Sequence, residues 1–187
     1  MADSRSDRAK GSGPAEYRTM IDRTNCREEL AVAFKWLWRQ HGAPDAILCI
    51  GTDRATGDAL GPLVGTQLST LSPSPFAVWG TLENPVHATN LIDLIHAHPR
   101  LVQARVLAVD ASLGRPEEVG AISLGPGPIR PGAGVSKDLP AIGRYYVTGT
   151  VNIGGFMDYY VLQNTRLNLV MRMAKAIAEG IQMSLRL

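Results

Sequence analysis

The feature that most constrains this chain is a short apolar run, residues 46–50 (Ala-Ile-Leu-Cys-Ile), that breaks at once into a glycine-punctuated segment. That segment is Gly51-Thr-Asp-Arg-Ala-Thr-Gly-Asp-Ala-Leu-Gly-Pro62, and a helical pattern follows it. A run this short with turn residues behind it reads as a buried strand, and apolar positions at 60, 63, 64, 68 and 71 read as one helix face. Strand, loop and helix then recur. Residues 76–82 read as a second strand, 88–98 as a helix stopped by Pro99, 105–110 as a third strand and 119–124 as a fourth. Residues 144–151 form a last strand before a long amphipathic helix that runs nearly to the end of the chain. A first helix is expected from Cys26 to about Gly42. Such alternation predicts α/β architecture: a three-layer α/β/α protein with a mostly parallel central sheet and helices on both faces.

At 187 residues the chain is long enough for one substantial core. The expected division is a flexible N-terminal tail over residues 1–17, polar and without periodicity, and a single domain over 18–187. Hydrophobic content of 45% and charged content of 19% are ordinary for a globular protein. A formal charge of +2 with no basic cluster argues against nucleic acid and anionic membranes as partners. No apolar stretch has the length of a membrane span, and the N-terminus has no signal-peptide core, so residence in the cytoplasm is expected. Cys26 and Cys49 have no CxxC spacing, and Cys49 reads as a buried reduced thiol.

Two strand-like runs deliver an aspartate. Asp58 follows the first by one loop, and Asp110 ends the third, Val106-Leu-Ala-Val109. In open α/β sheets ligands bind outside the carboxyl ends of the strands, so the two acids are expected to share a crevice. Each has a simpler explanation. Asp58 precedes an apolar helix, where aspartate is a favoured N-cap; Asp110 could be a solvated strand end. As a close pair they could not both ionise cheaply, and would share a proton as a general acid and a general base. The same pair could instead bind a metal ion.

Four further residues are candidates for contacts with substrate. Asp53 lies on the first loop, where turn formation is the simpler role. Glu83 and His87 follow the second strand. Lys137 lies in a long Gly/Pro-rich connection (residues 125–138) of the kind that often contacts substrate, and it is expected to overhang the crevice. The loop at 51–61 lacks the Lys-Ser/Thr ending of a P-loop and the GxGxxG spacing. His96 and His98 point in different directions from one helix end, and Ser136 has no evident histidine partner.

Taken together, residues 49–62, Gly80-Thr-Leu-Glu-Asn-Pro-Val-His-Ala88, Val109-Asp-Ala-Ser-Leu-Gly114 and Val147-Thr-Gly-Thr-Val-Asn-Ile-Gly-Gly-Phe-Met157 resemble the YyaC-type sporulation proteins. These are described as spore proteases and are similar to the germination protease and the hydrogenase-maturation endopeptidases. The resemblance implies a phosphorylase/hydrolase-like fold of the hydrogenase-maturation-protease type. It also implies an atypical aspartic endopeptidase, with Asp58 and Asp110 at the positions of the germination protease's two catalytic acids. The substrate implied is a protein or peptide, small acid-soluble spore proteins included, met in the forespore or spore core during sporulation or germination. No cofactor and no metal are implied, and homo-oligomerisation stays open. The alternatives are a peptide-binding sporulation protein that does not cleave, and a metal-sensing maturation-type peptidase. Against the latter, the third metal-contacting histidine of that group has no evident counterpart. The germination protease has proline where this chain has Gly57.

Overall fold

A computed structural model describes residues 16–131 and 140–186 of the protein. Its elements alternate as the apolar pattern demands. They are β1 (Tyr17–Met20), α1 (Cys26–His41), β2 (Ala46–Cys49), α2 (Leu60–Ser69), β3 (Ala77–Trp79), α3 (Leu91–Ala97) and α4 (Arg100–Gln103). After these come β4 (Val106–Gly114), β5 (Ala121–Pro126), β6 (Tyr145–Ile153), α5 (Asp158–Gln163) and α6 (Leu167–Ser184). The strands form one sheet in the order β1-β5-β6-β4-β2-β3. Four neighbouring strands, β3, β2, β4 and β6, are mutually parallel, while β5 pairs antiparallel with β6 and β1 antiparallel with β5. No described helix is long and apolar enough to cross a membrane.

The side chains of the buried strands alternate between two cores, as the period-2 pleat requires. Ile47, Cys49, Leu107, Val109, Tyr145 and Val147 face one way and pack against α1, α2 and α6. Ala46, Leu48, Ile50, Val106 and Ala108 face the other way, against Leu91 of α3, Leu101 of α4 and Ile142. Both faces of the central strands are covered, which is why β2 and the start of β4 read as unbroken apolar runs. Buried polar groups tie the layers together. The Tyr145 hydroxyl donates to the Gly42 carbonyl at 2.6 Å, and Trp38 Nε1 donates to Ser184 Oγ at 2.9 Å.

Several expectations are corrected. Tyr17 belongs to β1, a strand the sequence pattern did not predict; Tyr17 to Met20 pair with Leu124 to Ala121 of β5. Residues 1–15 of the expected tail lie outside the described residues. The third strand does not end on Asp110. It runs to Gly114 because β6 continues beside it, and this pairing overrides the weak strand propensity of Asp, Ser and Gly. The helix after Pro85 starts at Leu91 and not at residue 88. Asn90 holds the chain in a turn instead, accepting the His87 N–H at 2.8 Å and donating to the Pro85 carbonyl at 2.9 Å. The long C-terminal helix is α6, and a short helix that the sequence pattern did not predict, α5, precedes it. Between them Thr165 Oγ1, which donates to the Val161 carbonyl at 2.8 Å, also accepts from Asn152 Nδ2.

Candidate active site

After β2 the chain makes two crossovers. From β2 it crosses by α2 on one face to β3, then by α3 and α4 on the opposite face to β4 on the other side of β2. The chain leaving β2 goes to β3 on one side and the chain leaving β4 goes to β5 and β6 on the other, so the two connections diverge at the carboxyl ends of β2 and β4, the kind of switch point where a crevice opens. A crevice of about 870 Å³ lies there, with Asp58, His87, Asp110 and Thr148 in its lining.

Close packing puts Asp58 into it. Gly51 has φ of 137°, and a Cβ at this position would lie 1.9 Å from the Asp58 carbonyl oxygen, so only glycine lets the loop fold back on itself. A Cβ on Gly61 would lie 2.1 Å from the Ile50 carbonyl, which means that the start of α2 is pressed against the end of β2. These glycines serve backbone contact, not phosphate binding. Asp58 sits in a single 3-10 turn, Gly57–Ala59, ahead of α2. It is not the N-cap expected from the sequence. Thr56 and Ala59 hold the cap positions, and neither helix start has a side-chain cap bond. Gly57 is where α5 packs closest, since a Cβ there would meet Leu162 at 2.8 Å.

Asp110 is the fifth residue of β4, directly after the last residue paired with β2. It lies opposite Thr148 in the ladder with β6. Both acids are half-buried, their residual exposure being to the crevice. Burial raises the Asp58 carboxyl above the usual aspartate range, opposed by the nearby Thr52 N–H and by His87. Asp110 is raised well above that range, by burial first and by the charge of Asp58 second. The Ala111 N–H, donating to Asp110 Oδ1 at 2.9 Å, opposes the rise. Asp58 and Asp110 thus line one crevice, with the charge of Asp58 acting on Asp110.

His87 lines the crevice, with Thr89 Oγ1 2.7 Å from its Nδ1. Asp53 and Glu83, the other two candidates for substrate contact, do not; both are exposed side chains outside the lining. Lys137 lies outside the described residues, although its connection does reach the crevice through Ile129 and Arg130. Sequence reasoning missed Thr148, Arg54, Arg115, Asp158 and Tyr159, all of which line it. Asp158 and Tyr159 follow Gly154-Gly155 after β6, and reading every strand's carboxyl end as a site would have found them. Among the described residues, no three His, Cys, Asp or Glu side chains are grouped so as to hold a metal ion.

A parallel sheet with two acids at its switch point defines the class, and the family is shown by sequence: the chain belongs to the DUF1256 family, described as proteins of unknown function, whose model matches residues 19–180. It is 47% identical over 170 residues to "Uncharacterized protein YyaC" of Bacillus subtilis (strain 168), a match covering 90% of this chain and 83% of that protein. Among solved structures it is similar to the NiFe hydrogenase maturation protease HycI from Thermococcus kodakarensis KOD1. That similarity has a TM-score of 0.49 and 18% identity, over 80% of this chain and 99% of the other.

Proposed function

We propose that this protein is a peptide hydrolase, an endopeptidase working through Asp58 and Asp110. One observation carries the reading: two carboxyls, both raised by burial and Asp110 further by the charge of Asp58, line one crevice at a topological switch point, and neither is used as a helix cap. Asp110 is the deeper of the two and the more strongly raised, so it keeps the shared proton and acts as the acid. Asp58 lies beside the Thr52 N–H and His87, both of which favour its charge, so it is the base.

In the reaction Asp58 takes a proton from water as the oxygen bonds to the scissile carbonyl carbon. Asp110 gives its proton to the amide nitrogen as the C–N bond breaks. The products are a carboxylic acid and an amine, and transfer of one proton from Asp58 to Asp110 restores the pair. Thr148 and His87, which line the crevice, would orient the water or the carbonyl. Small spore proteins as substrates rest on the sequence motifs alone. A second reading, capture of a polypeptide without cleavage, is favoured by Phe156, which is 82% exposed, and by the exposed Tyr159 and Tyr160 next to the crevice.

The test is to incubate the protein with small spore proteins and with a degenerate peptide library, and to identify products by mass. Cleavage is expected, with Asp58→Asn and Asp110→Asn each lowering kcat by roughly 10²–10⁴-fold. Undiminished cleavage by either variant sinks the dyad. Binding with no cleavage by the unmodified protein leaves the capture reading.

A further inference from the structure

The burial of β4 changes where β2 stops. Val106 to Val109 are buried, while Asp110 to Gly114 are half-exposed. Over the second stretch β4 still pairs with β6 on one side, but on the other side the ladder with β2 has ended at Cys49/Val109. The direction of the backbone groups there follows from two bonds. The Val109 carbonyl accepts from Ile50 N on the β2 side, and the Gly114 carbonyl accepts from Gly154 N on the β6 side. Strand alternation then turns the amides of Ala111 and Leu113 to the β2 side, where no described strand pairs with them. The Ala111 N–H meets only the carboxyl of its own neighbour, Asp110.

We infer that the crevice takes its polypeptide as an added strand, an extended segment pairing by backbone hydrogen bonds with the open edge of β4 at Ala111–Leu113, in the place in the sheet that β2 vacates. An unpaired strand edge is a template for such addition. Residues 110–114 all line the crevice, whose volume suits several peptide residues. Alternate side chains of the added strand would meet opposite walls, one formed by Tyr159 and Leu162, the other by Ile129 and Ala88. A peptide carbonyl that replaces Asp110 Oδ1 on the Ala111 N–H brings its own amide bond against the Asp110 carboxyl. The inference rests on the hydrolase reading only in calling the bound segment a substrate.

The test uses the full-length Asp58→Asn protein and a degenerate library of synthetic decapeptides, retained members being identified by mass. Resynthesised binders are then N-methylated at either the odd or the even amides. Only the set facing β4 is expected to weaken binding, by on the order of tenfold or more. In the complex, amide exchange at Leu113 is expected to slow by about tenfold or more, while Ser112 and Gly114, already directed to β6, stay unchanged. No retained peptide, equal tolerance of both methylation patterns, or no added protection at Leu113 overturns the inference. The two proposals fail separately. Peptides that bind along this edge but are left uncut by the unmodified protein defeat the hydrolase reading alone. Cleavage with indifferent methylation patterns defeats only the added strand.

Discussion

Asp110 carries a thermodynamic signature as well as a chemical one. Its folded-state pKa lies above that of an unfolded aspartate, about 3.9, so over the interval between the two the folded chain binds more protons than the unfolded one. Stability contributed by the protonated form is therefore complete below about pH 4 and declines as pH rises through the folded value. Asp110→Asn, which stays neutral, is expected to melt above the unmodified protein at alkaline pH, with the gap closing towards about pH 4. Thermal melts across that range check this, and a gap of opposite sign would mean that Asp110 is stabilised as a carboxylate. Asp45 behaves in the opposite way. Its carboxyl takes the Arg105 backbone N–H at 2.9 Å and the guanidinium Nη2 at 2.6 Å, which hold it down to about 2. Its contribution is present above the ordinary aspartate value and lost as pH falls towards about 2. Because the pair is largely exposed, Asp45→Asn is expected to cost no more than about 1 kcal/mol at neutral pH. Urea titrations at about pH 7 and about pH 2 should show that difference only at the higher pH.

At the scale of the element, α2 has two separable duties: its buried face supports the core, and its start positions the turn that bears Asp58. Leu68 is fully buried in the larger core, and Leu68→Ala is expected to cost about 2–5 kcal/mol while leaving kcat of the folded fraction intact. Gly61→Ala would set a methyl group 2.1 Å from the Ile50 carbonyl, a backbone atom that cannot rotate away. The helix start must move, so this variant is expected to lose about 1–3 kcal/mol and also kcat, in excess of its loss of folded protein. Denaturant unfolding measured alongside turnover separates the two variants; equal kcat in both would show that α2 does not position Asp58. The reach of this helix was visible in its apolar spacing. The 3-10 turn was not, because Asp58 followed by an apolar helix is also what an ordinary N-cap looks like.

Over the whole molecule, the proposed dyad predicts a bell-shaped dependence of kcat/KM on pH. Activity should fall in acid as Asp58 gains a proton and fall again in alkali as Asp110 loses its own, with both apparent values belonging to the pair. A shared-proton mechanism needs no metal ion, so this activity is also expected to survive chelators. Turnover recorded across pH with and without a chelator is the check. Loss of activity restored by one divalent metal would replace the shared-proton mechanism with metal-bound water.

The sequence by itself determined the alternation of strand and helix, the apolar runs of β2 and β4, and the presence of an acid near each. Those features depend on local periodicity and turn chemistry, which neighbouring residues impose on one another. Tertiary structure alone decided the rest. β1 exists because β5 offers it an edge, and β4 outruns Asp110 because β6 stays beside it, although neither strand has the residues to announce this. The meeting of Asp58 and Asp110 in one crevice across 52 positions, the absence of Glu83 from its lining and the unpaired edge beyond Asp110 depend on strand order. Strand order is fixed by which helix crosses which face, a contest between packed layers that no local stretch of sequence records.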